Sequence, residues 1–142
     1  MRISEVLRVK GSHVVTINPQ ATVTQLLDTL AEHNIGAVVV STDGKSIEGI
    51  ASERDIVRHL THNTEVLDQP VSSIMTEQVH TCSPNDTVDE LMRLMTTERI
   101  RHVPVVVGGR LAGLVSIGDV VKTRIGELEL EREALADYIR RS

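Results

Sequence analysis

Aromatic residues are almost missing: among 142 residues Tyr138 stands alone, with no Phe and no Trp. Any core must be built from Val, Ile, Leu, Met and Ala, and a single tyrosine is no stacking platform for successive bases of single-stranded nucleic acid. Cysteine is equally scarce. Cys82 by itself makes neither an internal disulfide nor a cysteine-based zinc cage, which points to a reducing compartment, the cytoplasm. Positive charge is in deficit, fifteen Lys and Arg against twenty Asp and Glu, for a net charge of −5. That is the wrong sign for gaining affinity by displacing counterions from phosphate backbone, so nucleic acid is not an expected partner. Long apolar runs are missing too. The longest, Ile35 to Val40, is far below the roughly 18 residues that cross a bilayer. Met1 to Lys10 alternates charged and apolar residues without the apolar core of an export signal.

What the chain has is a repeat. Pro19, Thr22, Val23, Leu26 and Ile35 shift by 65 positions onto Pro84, Thr87, Val88, Leu91 and Ile100. Gly49, Ser52 and Asp55 match Gly113, Ser116 and Asp119 at a shift of 64, the lost residue falling near Asp43-Gly44 and Gly108-Gly109, where turn chemistry tolerates length changes. At the front, Ile3 to Leu7 resembles Val71 to Met75 at a shift of 68. The duplication runs up to Val121.

Each copy has the same order of elements. Val14-Val15-Thr16 and Val79-His80-Thr81 predict short extended pieces. Thr22 to Gln25 and Thr87 to Glu90 are capping boxes, in which a Thr hydroxyl and a side chain three residues on satisfy the free N–H groups of a helix start. Val23, Leu26, Leu27 and Leu30, then Val88, Leu91, Leu94 and Met95, keep helical spacing. The β-branched runs Ala37 to Val40 and Val103 to Val107 predict strands covered on both faces, returning as hairpins through Ile47 to Ala51 and Leu111 to Val115. Second helices are expected from Ser52 and Ser116. The pattern is a β-α-β-β-α unit occurring twice, an α/β fold with repeat one at 1–68, repeat two at 69–124 and a charged C-terminal helix at 125–142. About sixty residues rarely bury enough apolar surface to stand alone, so the copies are expected to pack on each other.

The strongest constellation is G-x-x-S-x-x-D at both strand-to-helix junctions, Gly49 to Asp55 and Gly113 to Asp119. S-x-x-D is itself a capping box and needs no further purpose. A helix start with a hydroxyl also favours an anion such as phosphate, and a carboxylate one turn later accepts from two vicinal ribose hydroxyls. Phosphate plus ribose means a nucleotide. The copies differ in charge: Arg54 precedes Asp55, whereas repeat two has Gly118 there and a basic Arg99-Ile100-Arg101-His102 segment. Arg54 and Arg101 are the preferred anion contacts, because Arg binds phosphate as a planar fork. His80 and Cys82 do not complete a metal set, and no base, nucleophile and orienting group recur together, so neither a metal site nor a catalytic activity is expected.

The order of elements, the Ser73-Ile74-Met75-Thr76 link, Ile100 to Val105 and the two G-x-x-S-x-x-D ends resemble a tandem pair of cystathionine-β-synthase (CBS) domains, the Bateman module, over about residues 1–124. That resemblance implies a pseudo-two-fold module binding AMP, ADP, ATP or NAD(H) in clefts between repeats. By position it implies ribose contacts at Asp55 and Asp119 and phosphate-facing hydroxyls at Ser52 and Ser116. It further implies polar contacts at Thr16 and Thr81 near sugar or base. Ile35, Gly36 and Ala37, with Ile100, Arg101 and His102, would border adenine and phosphate. The expectation is a regulatory, non-catalytic homodimer that signals to a partner enzyme by conformational linkage. The competing reading is a ligand-independent dimerisation module.

Overall fold

The structure is a computed structural model and describes residues 1–141. Helix α1 (Ile3–Lys10) comes first. Repeat one follows as β1 (Thr16–Ile17), α2 (Val23–His33), β2 (Ala37–Val40), β3 (Gly49–Ser52) and α3 (Glu53–Leu60). Two 3₁₀ turns, Thr64–Asp68 and Val71–Ser73, link it to α4 (Val88–Glu98), β4 (His102–Val107), β5 (Arg110–Ser116) and α5 (Ile117–Arg141).

The local signals act as read. The Thr22 hydroxyl accepts from Gln25 N–H at 3.1 Å while the Gln25 side chain accepts from Thr22 N–H at 2.9 Å, closing the capping box of α2. At α4 the Thr87 hydroxyl accepts from Glu90 N–H at 3.1 Å, without the return bond. Both helices end on a left-handed residue, Asn34 (φ 51°) and Arg99 (φ 55°). β2, with all four residues buried, pairs parallel to β1 and antiparallel to β3. In the second copy β4 pairs antiparallel with β5, and the counterpart of β1 shrinks to one parallel bridge, Cys82 to Val105. Gly108 and Gly109 both have positive φ, as a two-residue hairpin turn of primed type requires.

The cores divide the chain differently from its sequence order. One cluster joins Val23, Leu26, Leu30, Val38, Val40 and Ile56 with Val66, Val71 and Ile74, from the linking turns. The other joins Val88, Leu91, Met95, Val103, Val105 and Val115 with Ile3 and Val6 of α1. The segments at either side of the 68-residue shift are thus exchanged, each flooring the other repeat's sheet. Backbone bonds repeat the exchange: Val23 N–H donates to Gln69 C=O and Val71 N–H to Ala21 C=O, while Val88 N–H donates to Met1 C=O and Ile3 N–H to Asp86 C=O.

The exchange explains the glycine that opens each G-x-x-S-x-x-D. A Cβ at Gly49 would lie 2.8 Å from the Met75 Sδ and 2.8 Å from the Thr76 carbonyl oxygen, and one at Gly113 would lie 2.7 Å from Leu7 Cδ2. Backbone cannot yield as a leucine tip can. Gly49→Ala is therefore expected to destabilise by about 1–3 kcal/mol and Gly113→Ala by less, with chemical denaturation as the measurement.

The C-terminal segment is not a separate helix. α5 is continuous from Ile117 to Arg141, carrying Val120 into the second core and the charged stretch outward; Ser142 lies outside the described residues. A single Gly126 costs about 1 kcal/mol in a helix interior, too little to break it. No helix among the described residues is long and apolar enough to cross a membrane.

Candidate functional site

Each Ser-x-x-Asp turns a strand into a helix, and both form the same reciprocal cap. Ser52 N–H and hydroxyl donate to Asp55 Oδ2 at 2.9 and 3.0 Å, and Asp55 N–H donates back to Ser52 Oγ at 3.3 Å. Ser116 and Asp119 repeat this at 2.8, 2.9 and 3.2 Å. Both serine hydroxyls are therefore already engaged with a carboxylate rather than waiting for phosphate. Glu53 N–H donates to Gly36 C=O and Ile117 N–H to Arg101 C=O, tying each helix start to the equivalent point before β2 or β4.

Beyond the caps the copies diverge. Asp55 is buried at 8% exposure, and its Oδ1 meets the Thr76 hydroxyl at 3.5 Å, which leaves acceptor capacity on that oxygen. Asp119 is ion-paired: Lys10, at the end of α1, places Nζ 2.5 Å from Asp119 Oδ2, the oxygen that also closes the cap, and 2.6 Å from the Leu114 carbonyl oxygen. Burial works against the ionised form of Asp119, but the Lys10 ammonium and the Ser116 donors outweigh it and hold the carboxyl below its ordinary value of 3.8. Stability tied to this depressed value is in place above 3.8 and lost as pH falls through it.

The open corner forms one end of a cleft of about 300 Å³ between the repeats. That volume is at the small end of the range for ligand sites. Repeat one contributes Gly36, Ile50 and Ser52 to Asp55, with Arg58; the link contributes Thr76 and Gln78 to His80; repeat two contributes Arg99 to His102. Apolar Ile50, Val79 and Ile100 stand among four arginines, Arg54, Arg58, Arg99 and Arg101. Burial, then the Lys10 and Arg101 charges, push the His102 pKa down against the pull of Asp119 and Glu53. His102 is thus a neutral hydrogen-bonding group at pH 7 rather than a further cation beside Arg101.

Of the residues singled out from the sequence, Gly36, Ser52, Arg54, Asp55, Ile100, Arg101 and His102 line this cleft. Thr16 is half-buried opposite Val39 in the β1–β2 pairing, Ala37 is buried in β2, and Thr81 is exposed. Ile35 lines a shallow groove with Leu27, Leu30 and Asn34. Ser116 and Asp119 form the second corner, which Lys10 fills. Arg99, which opens the basic segment, also lines the cleft; Arg58 was missed, although it lies one helical turn after Arg54. Cys82 is buried, its thiol pushed up to about 12 by burial and then by Asp86, which suits packing rather than nucleophilic attack. No group of three or more potential metal-ligating side chains occurs among the described residues.

Comparison with known proteins turns this doubled architecture into a family assignment. The CBS domain model matches twice, at residues 4–62 and 71–126. The chain belongs to the CBS-domain family. A CBS-domain containing protein from Agrobacterium tumefaciens has the same fold, with TM-score 0.85 and 45% identity over 87% of this chain and 99% of that one. The mitochondrial CBS domain-containing protein CBSX3 of Arabidopsis thaliana is 35% identical over 96% of this chain and 71% of its own length. The CBS domain pair of protein MJ0100, solved with 5'-methylthioadenosine and S-adenosyl-L-methionine, shares the fold at TM-score 0.79 and 23% identity, covering 89% of this chain and 98% of that one. The CBS pair is a regulatory module, and the arrangement of two cores with exchanged segments is how this chain builds one.

Proposed function

We propose that this CBS pair is a non-catalytic sensor that binds an adenine nucleotide, AMP, ADP, ATP or NAD(H), in the cleft between its repeats. A partner, an enzyme it regulates, reads the resulting arrangement. The observation that carries the reading is the buried Asp55 carboxylate with an available Oδ1, set in one cleft with an apolar wall and four arginines. Two ribose hydroxyls suit the carboxylate, adenine suits Ile50, Val79 and Ile100, and phosphates suit the guanidinium groups. A structural neighbour that holds two adenosine compounds supports the adenosine part. Signalling follows from linkage, because a ligand contacting both repeats favours the arrangement in which both contacts are made. The lone buried Cys82 supports action in a reducing compartment such as the cytoplasm.

Thermal denaturation and calorimetry with AMP, ADP, ATP, NAD, NADH and guanine nucleotides test it. A native-state ligand at 100 times its Kd is expected to add about 2.7 kcal/mol of stability. No stabilisation by any of them would leave a ligand-independent assembly module. Within the cleft, Arg101→Ala is expected to weaken ADP and ATP more than AMP, by about 10- to 100-fold, and less so at high salt, since these charges remain partly exposed. Arg99 adds an internal control. Its left-handed backbone suits Asn, which closes the equivalent helix at position 34, so Arg99→Asn is expected to raise the melting temperature while weakening the polyphosphate ligands. Equal losses for AMP and ATP in both variants would place the two arginines away from the outer phosphates.

A further inference from the structure

Beyond the second core, α5 presents a stripe of exposed apolar side chains. Val121, Ile125, Leu128, Arg132, Leu135 and Ile139 follow one another at steps of four, three, four, three and four residues. That is the 3.5-residue period of a coiled-coil seam. The apolar members are 44%, 51%, 48%, 61% and 63% exposed, respectively. Five large apolar side chains in one line are not the scattered exposure of an ordinary surface.

We propose that α5 pairs with α5 of a second copy of this chain as a parallel two-stranded coiled coil, with Arg132 fixing its register. The charges flanking the seam select this occupant and this direction. With Ile125, Arg132 and Ile139 at the first core position of each heptad, Arg124 and Glu131 flank one side and Glu129 the other. In a parallel two-fold pair each Arg124 faces Glu129 of the opposite helix, and each Arg132 lies beside the opposite Glu131. A fully overlapped antiparallel pair would instead set Glu129 against Glu129 and Glu131 against Glu131. Arg124 already holds Glu127 at 2.9 Å, and its fork of donors leaves capacity for a second carboxylate. A central Arg in an otherwise apolar seam permits its charge to reach water in two strands better than in three, so it restricts the assembly to a dimer. This pairing is independent of nucleotide binding.

The test is light scattering and sedimentation of the full chain at about 1–50 µM, compared with Leu128→Glu/Leu135→Glu, and oxidation of Leu135→Cys. Wild type is expected to be a dimer, and the double variant is expected to dissociate at least about 100 times more readily with its circular dichroism unchanged. Leu135→Cys is expected to form a disulfide dimer, since position 135 faces itself only in the parallel pair, and buried Cys82 does not compete. A monomeric wild type, or a dimer unaffected by the double variant, overturns the proposal. So does a Leu135→Cys variant that stays reduced while Ile125→Cys/Leu135→Cys cross-links, because that pair meets in the antiparallel arrangement.

Discussion

Asp55→Ala is expected to weaken binding of every adenine nucleotide about 10- to 100-fold, with the phosphate number making little difference. The change removes a charged acceptor shared by two ribose hydroxyls, and its net hydrogen bonding is expected to contribute about 1.5–3 kcal/mol in all. It also removes the carboxylate side of the α3 cap, costing about 1 kcal/mol of stability, which Asp55→Asn separates from binding because the amide oxygen still accepts. Asp119→Ala is expected to change affinity much less, since Lys10 already occupies that carboxylate at 2.5 Å. The converse follows: Lys10→Ala frees the second corner, and calorimetric stoichiometry is expected to rise from one nucleotide per chain toward two. Affinity equally sensitive at both aspartates, with two sites filled in wild type, would mean that a nucleotide displaces Lys10 unaided.

The largest loss of stability is expected from Ile3→Ala. Ile3 is fully buried, two residues into the chain, yet it packs in the core that also holds Val88, Leu91 and Val115. Truncating a buried Ile costs about 2–5 kcal/mol, a large share of the 5–15 kcal/mol that hold a domain together. Val9→Ala, on the exposed side of the same helix, is the control and is expected to be nearly neutral. Urea denaturation of both variants decides. If Ile3→Ala leaves the midpoint unchanged, α1 is not part of the second core.

Both expectations depend on contacts that short-range patterns do not carry. The caps at Thr22, Ser52, Thr87 and Ser116 were legible because each forms within three residues, although at Thr87 the return bond is missing. The runs at β2 and at Val103–Val105 of β4 were legible because burial on both faces leaves no polar position, whereas the same run ends on exposed Val107, which a β-branched pattern does not distinguish. The duplication supplied the symmetry, and with it Asp55 and the Arg99 to His102 segment. The ion pair between Lys10 and Asp119 spans 109 positions, and no periodicity marks a lysine that will reach across a repeat boundary. For the same reason the shift of 68 disclosed two equivalent segments without disclosing that each belongs under the other repeat. α5 looked like two helices because one part obeys the repeat and the other does not, although no breaker stands between them.

The crossing of α1 has a consequence for synthesis. The first core closes once Ile74 has emerged, but Ile3 and Val6 must wait for β4, β5 and Val120. At about 5–20 residues per second that interval lasts some seconds, during which an amphipathic helix made first is held without its destination. On a crowded polysome the second core of a neighbouring nascent chain offers the same groove, so a domain-swapped pair joined through Gly11–Val15 is the misassembly this architecture invites.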